Sequence, residues 1–528
     1  HSQRSGGNQV KLWPHQDATL SEVKRLTRAG EKKIGVALPC GAGKTAIMLE
    51  IAKGAIAKGN RVAIYSCRKS NTKQIMDVAA GNQINAGVVA AEFGGASDPS
   101  APLQVCQLQT VASRLGDYRH PFPYADVVIV DEAHQQTGGQ ASAVFQKHTQ
   151  AGAHLFGFTA TPVNMGGIYD KLVTKATFRD LLACKAHLPV MCFGPDRPDL
   201  ERLKTNSEGE FSQRRNAEIN NPKKIFGTVL ENWKRLNPQG LSTIGFAPGV
   251  AESRFFHERF MANGIPSAHI DGERVAIATR NSQGVIEDQE YVSNSESREA
   301  VFEASRSGAI QIIWNRFVLR EAIDLPHVYC GILACSMGAR STFLQSAGRI
   351  LRYHPSLDHA LLIDHGGNID RHGLPNQEQS WDLDDTNRSI QRKEKQTRES
   401  QQGPEAEPIC CPKCDNYRTG GQECPSCGWK HKMSVRKVRE LDGTILVKKG
   451  RMVKHKPKKN FDDILRGRLY AGYRCGHSVK QAHRLAVTQA NKLDIVPIAS
   501  SIGLPASGSD RWHKPIRQVY PKFKPKGL

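Results

Sequence analysis

Short apolar runs, rich in β-branched residues, alternate with stretches of helical period from Leu12 to about Phe193. The runs are Lys33–Leu38, Arg61–Ser66, Gln104–Gln109, Asp126–Val130 and His154–Phe158. Strands that are apolar on both faces and separated by helices predict a parallel sheet covered on both sides. A second series, at Ser242–Ala247, Ser267–Asp271, Ile310–Asn315, Tyr329–Ala334 and Ala360–Asp364, predicts a second lobe of the same class. A helix over Asn220–Leu236 leads into it, and Gly272–Ser297 reads as a polar insertion with no assigned structure. The expected fold class is α/β, with two tandem parallel-sheet lobes. A polar or glycine-rich motif follows the carboxyl end of nearly every run, the edge where open α/β sheets bind ligands.

The 528 residues exceed one ordinary core and predict several units. Residues 1–10, without an opening Met, read as a tag remnant; 11–195 form the first lobe, 196–219 a connection and 220–375 the second lobe. Residues 376–408, rich in Gln, Glu, Asp, Arg and Ser, fit a linker or a solvated helix. A cysteine-bearing segment, 409–432, and a basic, mainly helical region, 433–528, complete the chain. Charge is uneven: of the net +22, Trp429–Leu528 carries 24 Lys/Arg against 6 Asp/Glu, which leaves +4 for everything before. A basic region of this kind points to a polyanionic partner, the alternative being a solvated tail. No apolar run reaches membrane-span length and no secretion signal opens the chain, so a cytoplasmic protein is expected. The 13 cysteines, mostly single and at apolar positions, read as reduced core residues.

The chemistry is concentrated at the ends of the runs. Lys33–Leu38 passes into Pro39-Cys40-Gly41-Ala42-Gly43-Lys44-Thr45 and then a helix, the order of a phosphate-binding loop. Gly41 and Gly43 shape it, backbone N–H groups wrap phosphate oxygens, Lys44 reaches the β- and γ-phosphates, and the Thr45 hydroxyl suits Mg²⁺. Leu38 stands where the common pattern has glycine. Asp131-Glu132-Ala133-His134 follows the next apolar strand, with Asp131 suited to a second magnesium contact and Glu132 to activating water. A helix cap is the alternative reading of that carboxylate pair. Arg349 and Arg352, three apart at the start of an expected helix, can share a face. If the lobes pack together, they serve as arginine fingers, the alternative being a solvated basic face.

These residues resemble superfamily 2 helicases and translocases. The similarity is to the DEAH-type branch that includes type I and III restriction motors, DNA-repair helicases of the XPB kind and phage helicases. It extends over roughly Leu12–Asp364 and implies two RecA-like lobes with ATP and Mg²⁺ between them. The resemblance implies that Gln16 contacts adenine, Arg68 and Thr110 hold the nucleic-acid backbone, and Asp324 meets the ribose or couples the lobes. It also implies that His134, Thr159, Thr161 and Gln345 link nucleotide state to movement. Cys40 replaces the usual Thr or Ser, and Ala322 a common Gly. His365–Gly373 and Trp381-Asp382-Leu383 are similar to the end of phage-type motor cores.

Cys411-x-x-Cys414 and Cys424-x-x-Cys427, nine residues apart, have the spacing of a structural Cys₄ Zn²⁺ ribbon. A redox pair is the alternative, and Cys410 an alternative ligand. Beyond it, Lys448, Lys449, Lys458 and Lys459 lie in basic clusters among interleaved aromatics, the pattern of a DNA-binding tail. The combined expectation is an ATP-dependent DNA helicase or double-strand translocase acting on single-stranded, duplex or branched DNA, with replication or repair proteins as partners. An ATP-switched recruitment protein and an RNA helicase are the competing readings.

Overall fold

The computed structural model describes residues 12–91, 98–196, 198, 200, 205–206, 209–319, 325–400, 408–419 and 423–430, the side chains of 69–70 and 394–400 apart. The chain clusters into two compact units, 1–431 and 432–528, and the description below concerns the first. Asp324, Lys448, Lys449, Lys458, Lys459 and the expected tail helices lie outside the described residues.

The first sheet has seven parallel strands: β1 (Lys33–Ala37), β2 (Val62–Ser66), β3 (Ala86–Val89), β4 (Leu103–Gln107), β5 (Val127–Asp131), β6 (His154–Thr159) and β7 (Lys171–Val173). Their order is β3-β4-β2-β5-β6-β1-β7. Ile34, Ile64, Val105, Ile129 and Phe158 face one apolar layer, while Tyr65, Cys106, Val128 and Val130 face the other. Strands buried on both faces have no polar side to display, which is why they are continuous apolar runs in the sequence. The short edge strands β3 and β7 give no such run; each has one neighbour and a half-buried pattern.

The second sheet comprises β8 (Val190–Phe193), β9 (Thr243–Phe246), β10 (Ser267–Ile270), β11 (Arg274–Arg280), β12 (Ile286–Val292), β13 (Ile312–Asn315), β14 (Cys330–Leu333), β15 (Ala360–Asp364), β16 (Ile409–Cys410) and β17 (Asn416–Arg418). Its order is β12-β11-β10-β13-β9-β14-β15-β8-β17-β16. Two differences from the sequence reading follow. β8, which the sequence groups with the first series, pairs parallel with β15, so the chain crosses between the sheets before Val190. The Gly272–Ser297 insertion is largely an antiparallel hairpin, β11–β12, added to β10. Strand character is local, but which sheet a strand joins depends on its partner.

The interval 376–408 begins as packed chain. Asn164 and Gly166 donate backbone hydrogen bonds to Asp385 (2.7 Å) and Leu383 (2.9 Å), and the following helix, Asn387–Ser400, buries Ile390.

Candidate ATP site and metal centre

The loop after β1 ends at the helix Lys44–Ile56. Gly41 and Gly43 have φ +79° and +76°, in the left-handed region that favours glycine. A Cβ on Gly43 would also collide with Gln16 Nε2, and one on Gly41 with His187 Nε2. A side-chain-free loop opening onto a helix N-terminus is a ready anion cradle.

Lys44 Nζ lies 3.4 Å from Glu132 Oε1, both side chains largely covered. Burial opposes the lysine charge, but Glu132 and then other neighbours, Asp131 among them, outweigh it and raise the Lys44 pKa. Desolvation and then the Glu132 charge push Asp131 up to about 6, against the pull of Lys44 and the Asn71 amide. Glu132 follows β5 with φ +47°, a conformation that costs a non-glycine residue on the order of 1–3 kcal/mol. Such local cost is tolerated where the side chain's direction matters. Among the described residues, Glu132 Oε2, Asn71 Oδ1, Thr161 Oγ1 and His187 Nε2 are buried without a hydrogen-bond partner. Orphaned polar atoms around one cleft fit a polar, charged ligand with its metal.

Gln16, 4 % exposed, accepts from Trp13 N (2.9 Å) and donates to Ala42 O (3.0 Å), while His15 Nε2 lies 3.0 Å from the same carbonyl. In this conformation Gln16 buttresses the phosphate loop from the helix Pro14–Arg28.

A polar chain crosses between the lobes. Gln345 Nε2 lies 3.2 Å from His134 Nε2, and His134 Nδ1 lies 2.8 Å from Thr159 Oγ1, which accepts from Thr161 N (3.0 Å). An amide nitrogen can only donate, so His134 is assigned as the Nδ1–H tautomer, donating to Thr159. The arginine segment falls differently from its expectation. Helix Arg340–Ala347 ends before it; Arg349 lies in the 3₁₀ turn Gly348–Ile350, and Arg352 forms a β-bridge with His187. Gly348 is packed so closely on Cys40 that a Cβ there would collide, placing this turn against the phosphate loop. Burial lowers the Arg352 pKa, though a guanidinium stays charged at neutral pH.

Arg68 is the N-cap of helix Lys69–Gly81 and is half-buried. Thr110 is buried, its hydroxyl donating to Gln107 at 3.5 Å, whereas its neighbour Gln109 is exposed. Asn71 and His187 escaped the sequence reading: each is a single polar residue inside a helix or junction, and only the fold brings it to the cleft.

The four knuckle cysteines converge, with all Sγ atoms within 4.8 Å of one another and Cys411–Cys427 and Cys414–Cys424 both at 3.7 Å. Tetrahedral zinc–thiolate bonds of about 2.3 Å give sulfur–sulfur edges of about 3.8 Å, so the set fits zinc. Cys411, Cys414 and Cys424 pack beside Phe193 and Ile363, while β17 pairs with β8 and Tyr417 donates to Asp370 (2.7 Å). The knuckles therefore continue the second sheet.

No helix among the described residues is long and apolar enough to cross a membrane. Residues 9–164 match the family "Type III restriction enzyme, res subunit". A "51.5 kDa protein" of Lactococcus phage (isolate 7-9) is 25 % identical over 350 residues, 65 % of this chain and 68 % of that protein. A Saccharomyces cerevisiae protein, provisionally named ATP-dependent helicase IRC3, is 23 % identical over 381 residues, 67 % of this chain and 51 % of the other, so the chain spans about half of that relative. Among solved structures, "ATP-dependent Type ISP restriction-modification enzyme LlaBIII bound to DNA" aligns with TM-score 0.47 and 16 % identity, covering 67 % of this chain and 27 % of that one. The ordered motifs and the family match over residues 9–164 make this chain similar to superfamily 2, helicase-type ATP-dependent nucleic-acid enzymes of the restriction-motor kind.

Proposed function

We propose that the chain is an ATP-dependent DNA helicase or double-strand DNA translocase that hydrolyses ATP between its two lobes, serving replication, repair or recombination. The observation that carries this reading is the polar chain Thr161–Thr159–His134–Gln345, which runs from behind the phosphate loop into the second lobe. A change at the phosphates is thereby felt by both lobes, as a motor requires.

In this reading Lys44 and the N–H groups beyond Gly41 and Gly43 hold the β- and γ-phosphates. Thr45 and Asp131 hold magnesium, which when bound neutralises phosphate charge. Glu132 orients and deprotonates the attacking water, and its pairing with Lys44 in the present conformation relaxes when phosphate takes the lysine. Arg349 and Arg352 enter from the second lobe and stabilise charge on the transferred group, an effect on the order of 10³–10⁵ in rate. Gln16 and Asp324 contact the base and ribose. Arg68, Thr110 and the tail lysines Lys448, Lys449, Lys458 and Lys459 engage DNA, while zinc on Cys411, Cys414, Cys424 and Cys427 is structural.

The test is ATP hydrolysis by the wild type and Glu132→Gln with single-stranded, duplex and forked DNA and with RNA, followed by strand displacement on the best ligand. DNA-stimulated hydrolysis abolished by the substitution is expected; no stimulation by any nucleic acid overturns the motor reading. Stimulation by RNA alone moves the assignment to an RNA helicase. Truncation after Trp429 is expected to weaken DNA binding and flatten its salt dependence, and an unchanged salt slope removes the tail from the account.

A further inference from the structure

Asn71 belongs to none of the motifs read from the sequence, yet its side-chain amide donates a 2.9 Å hydrogen bond to Asp131 Oδ2. It is 7 % exposed, and its Oδ1 has no partner. A hydrogen bond onto a carboxylate is about twice as strong as one between neutral groups, so Asn71 fixes where that carboxylate stands.

The other end of the contact is the segment assigned to nucleic acid. Arg68 caps the helix in which Asn71 occupies the first turn, three residues on. That turn is held firmly: Thr72 N and Oγ1 both donate to Arg68 O, at 3.1 and 3.2 Å, and Thr72 Oγ1 lies 2.7 Å from Ser66 Oγ at the end of β2. A second link runs parallel to the first, with Cys67 Sγ donating to Gln135 Oε1 at 3.3 Å. Gln136 in turn donates to the Asp131 carbonyl. Residues 66–72 are therefore stitched at two points to 131–136, which ties the Arg68 segment to the strand end that carries Asp131.

We propose that Asn71 is a positioning residue that couples strand engagement at Arg68 to the placement of the Asp131 carboxylate in the ATP site. This rests on the motor reading above. It supplies a physical route by which DNA on the first lobe alters the metal side of the nucleotide site, and by linkage the nucleotide alters DNA affinity by the same factor.

The experiment uses the full chain and a dye-labelled single-stranded oligodeoxynucleotide, with dissociation constants measured with and without Mg²⁺ and a slowly hydrolysed ATP analogue. The ratio of the two constants is the coupling factor, on the order of 5–150-fold in systems of this kind. Two variants are compared with the wild type after thermal melting establishes that each is folded. Asn71→Leu removes the donor, and Asn71→Asp keeps the shape while setting a carboxylate against Asp131. Both are expected to bring the ratio to within about twofold of unity. Cys67→Ala, which cuts the parallel link, is expected to lower it part of the way. Retention of the wild-type ratio by Asn71→Asp overturns the proposal, because a purely packing role tolerates that isosteric change; so does retention by a folded Asn71→Leu. A wild type whose DNA affinity ignores nucleotide overturns the motor reading as well, which separates that failure from the failure of Asn71 alone.

Discussion

Glu132→Gln separates the pairing that Glu132 makes in this structure from the water-activating role proposed for it. In the present conformation Glu132 Oε1 holds Lys44 Nζ at 3.4 Å, so the lysine that phosphate needs is already paired. At that distance two unit charges attract by about 1 kcal/mol even at the dielectric constant of water, and by more in a covered site. The amide removes the negative charge at nearly the same size, leaving Lys44 unopposed for phosphate. It also removes one of the two causes that raise the Asp131 pKa, favouring the ionised form that binds magnesium. Mg·ATP should therefore bind about fivefold more tightly or better. Turnover should fall by about 10²–10⁴, the usual contribution of a positioned general base. Equilibrium titration with a fluorescent ATP analogue reads the first quantity and phosphate release the second. Lost turnover with unchanged or weakened affinity would refute the reasoning, since it would mean that Glu132 does not compete with phosphate for Lys44.

Gln345→Ala removes the second-lobe end of the chain to His134 without touching the phosphate loop; kcat should drop about tenfold, by the loss of one hydrogen bond of about 1.5 kcal/mol, with KM for ATP nearly unchanged. Metal analysis should find one zinc per wild-type chain and none in Cys411→Ser, whose melting temperature should fall because β17 is paired with β8 and the cysteines line the second lobe's core. Acid should weaken the fold through His148 and His187, whose pKa values burial lowers to about 4. Both are neutral when folded and protonate near 6.5 when unfolded, so stability present at pH 7 is lost as pH falls from about 6.5 towards 4. Urea midpoints at pH 7 and 5 read this, and His148→Gln, which keeps an acceptor for Tyr65 Oη, should reduce the difference between them.

Much of this molecule is written locally. Lys44 was legible because a phosphate loop needs particular residues in immediate sequence, and Asp131-Glu132-Ala133-His134 because it stands as one block at a strand end; the apolar runs that carry them are continuous because both strand faces are buried. The knuckle cysteines were legible for a similar reason, since two C-x-x-C pairs already set half of a tetrahedron. Arg349 and Arg352 were legible as a spacing, but their location in a turn after the helix, with Arg352 bridged to His187, was not.

The sequence by itself determined the two-sheet class, the glycine-loop pattern before the helix at Lys44 and the pairing of cysteines into two C-x-x-C knuckles, because each depends on residues close along the chain. The tertiary structure alone decided that β8 joins the second sheet, that the knuckles extend that sheet, that Asn71 and His187 reach the cleft, and that Gln345 meets His134 there. Those facts depend on pairings between segments 60 to more than 200 residues apart, such as Asn71 with Asp131 and His134 with Gln345. A local pattern sets which face of a strand or helix is apolar; it does not set which partner that face will meet.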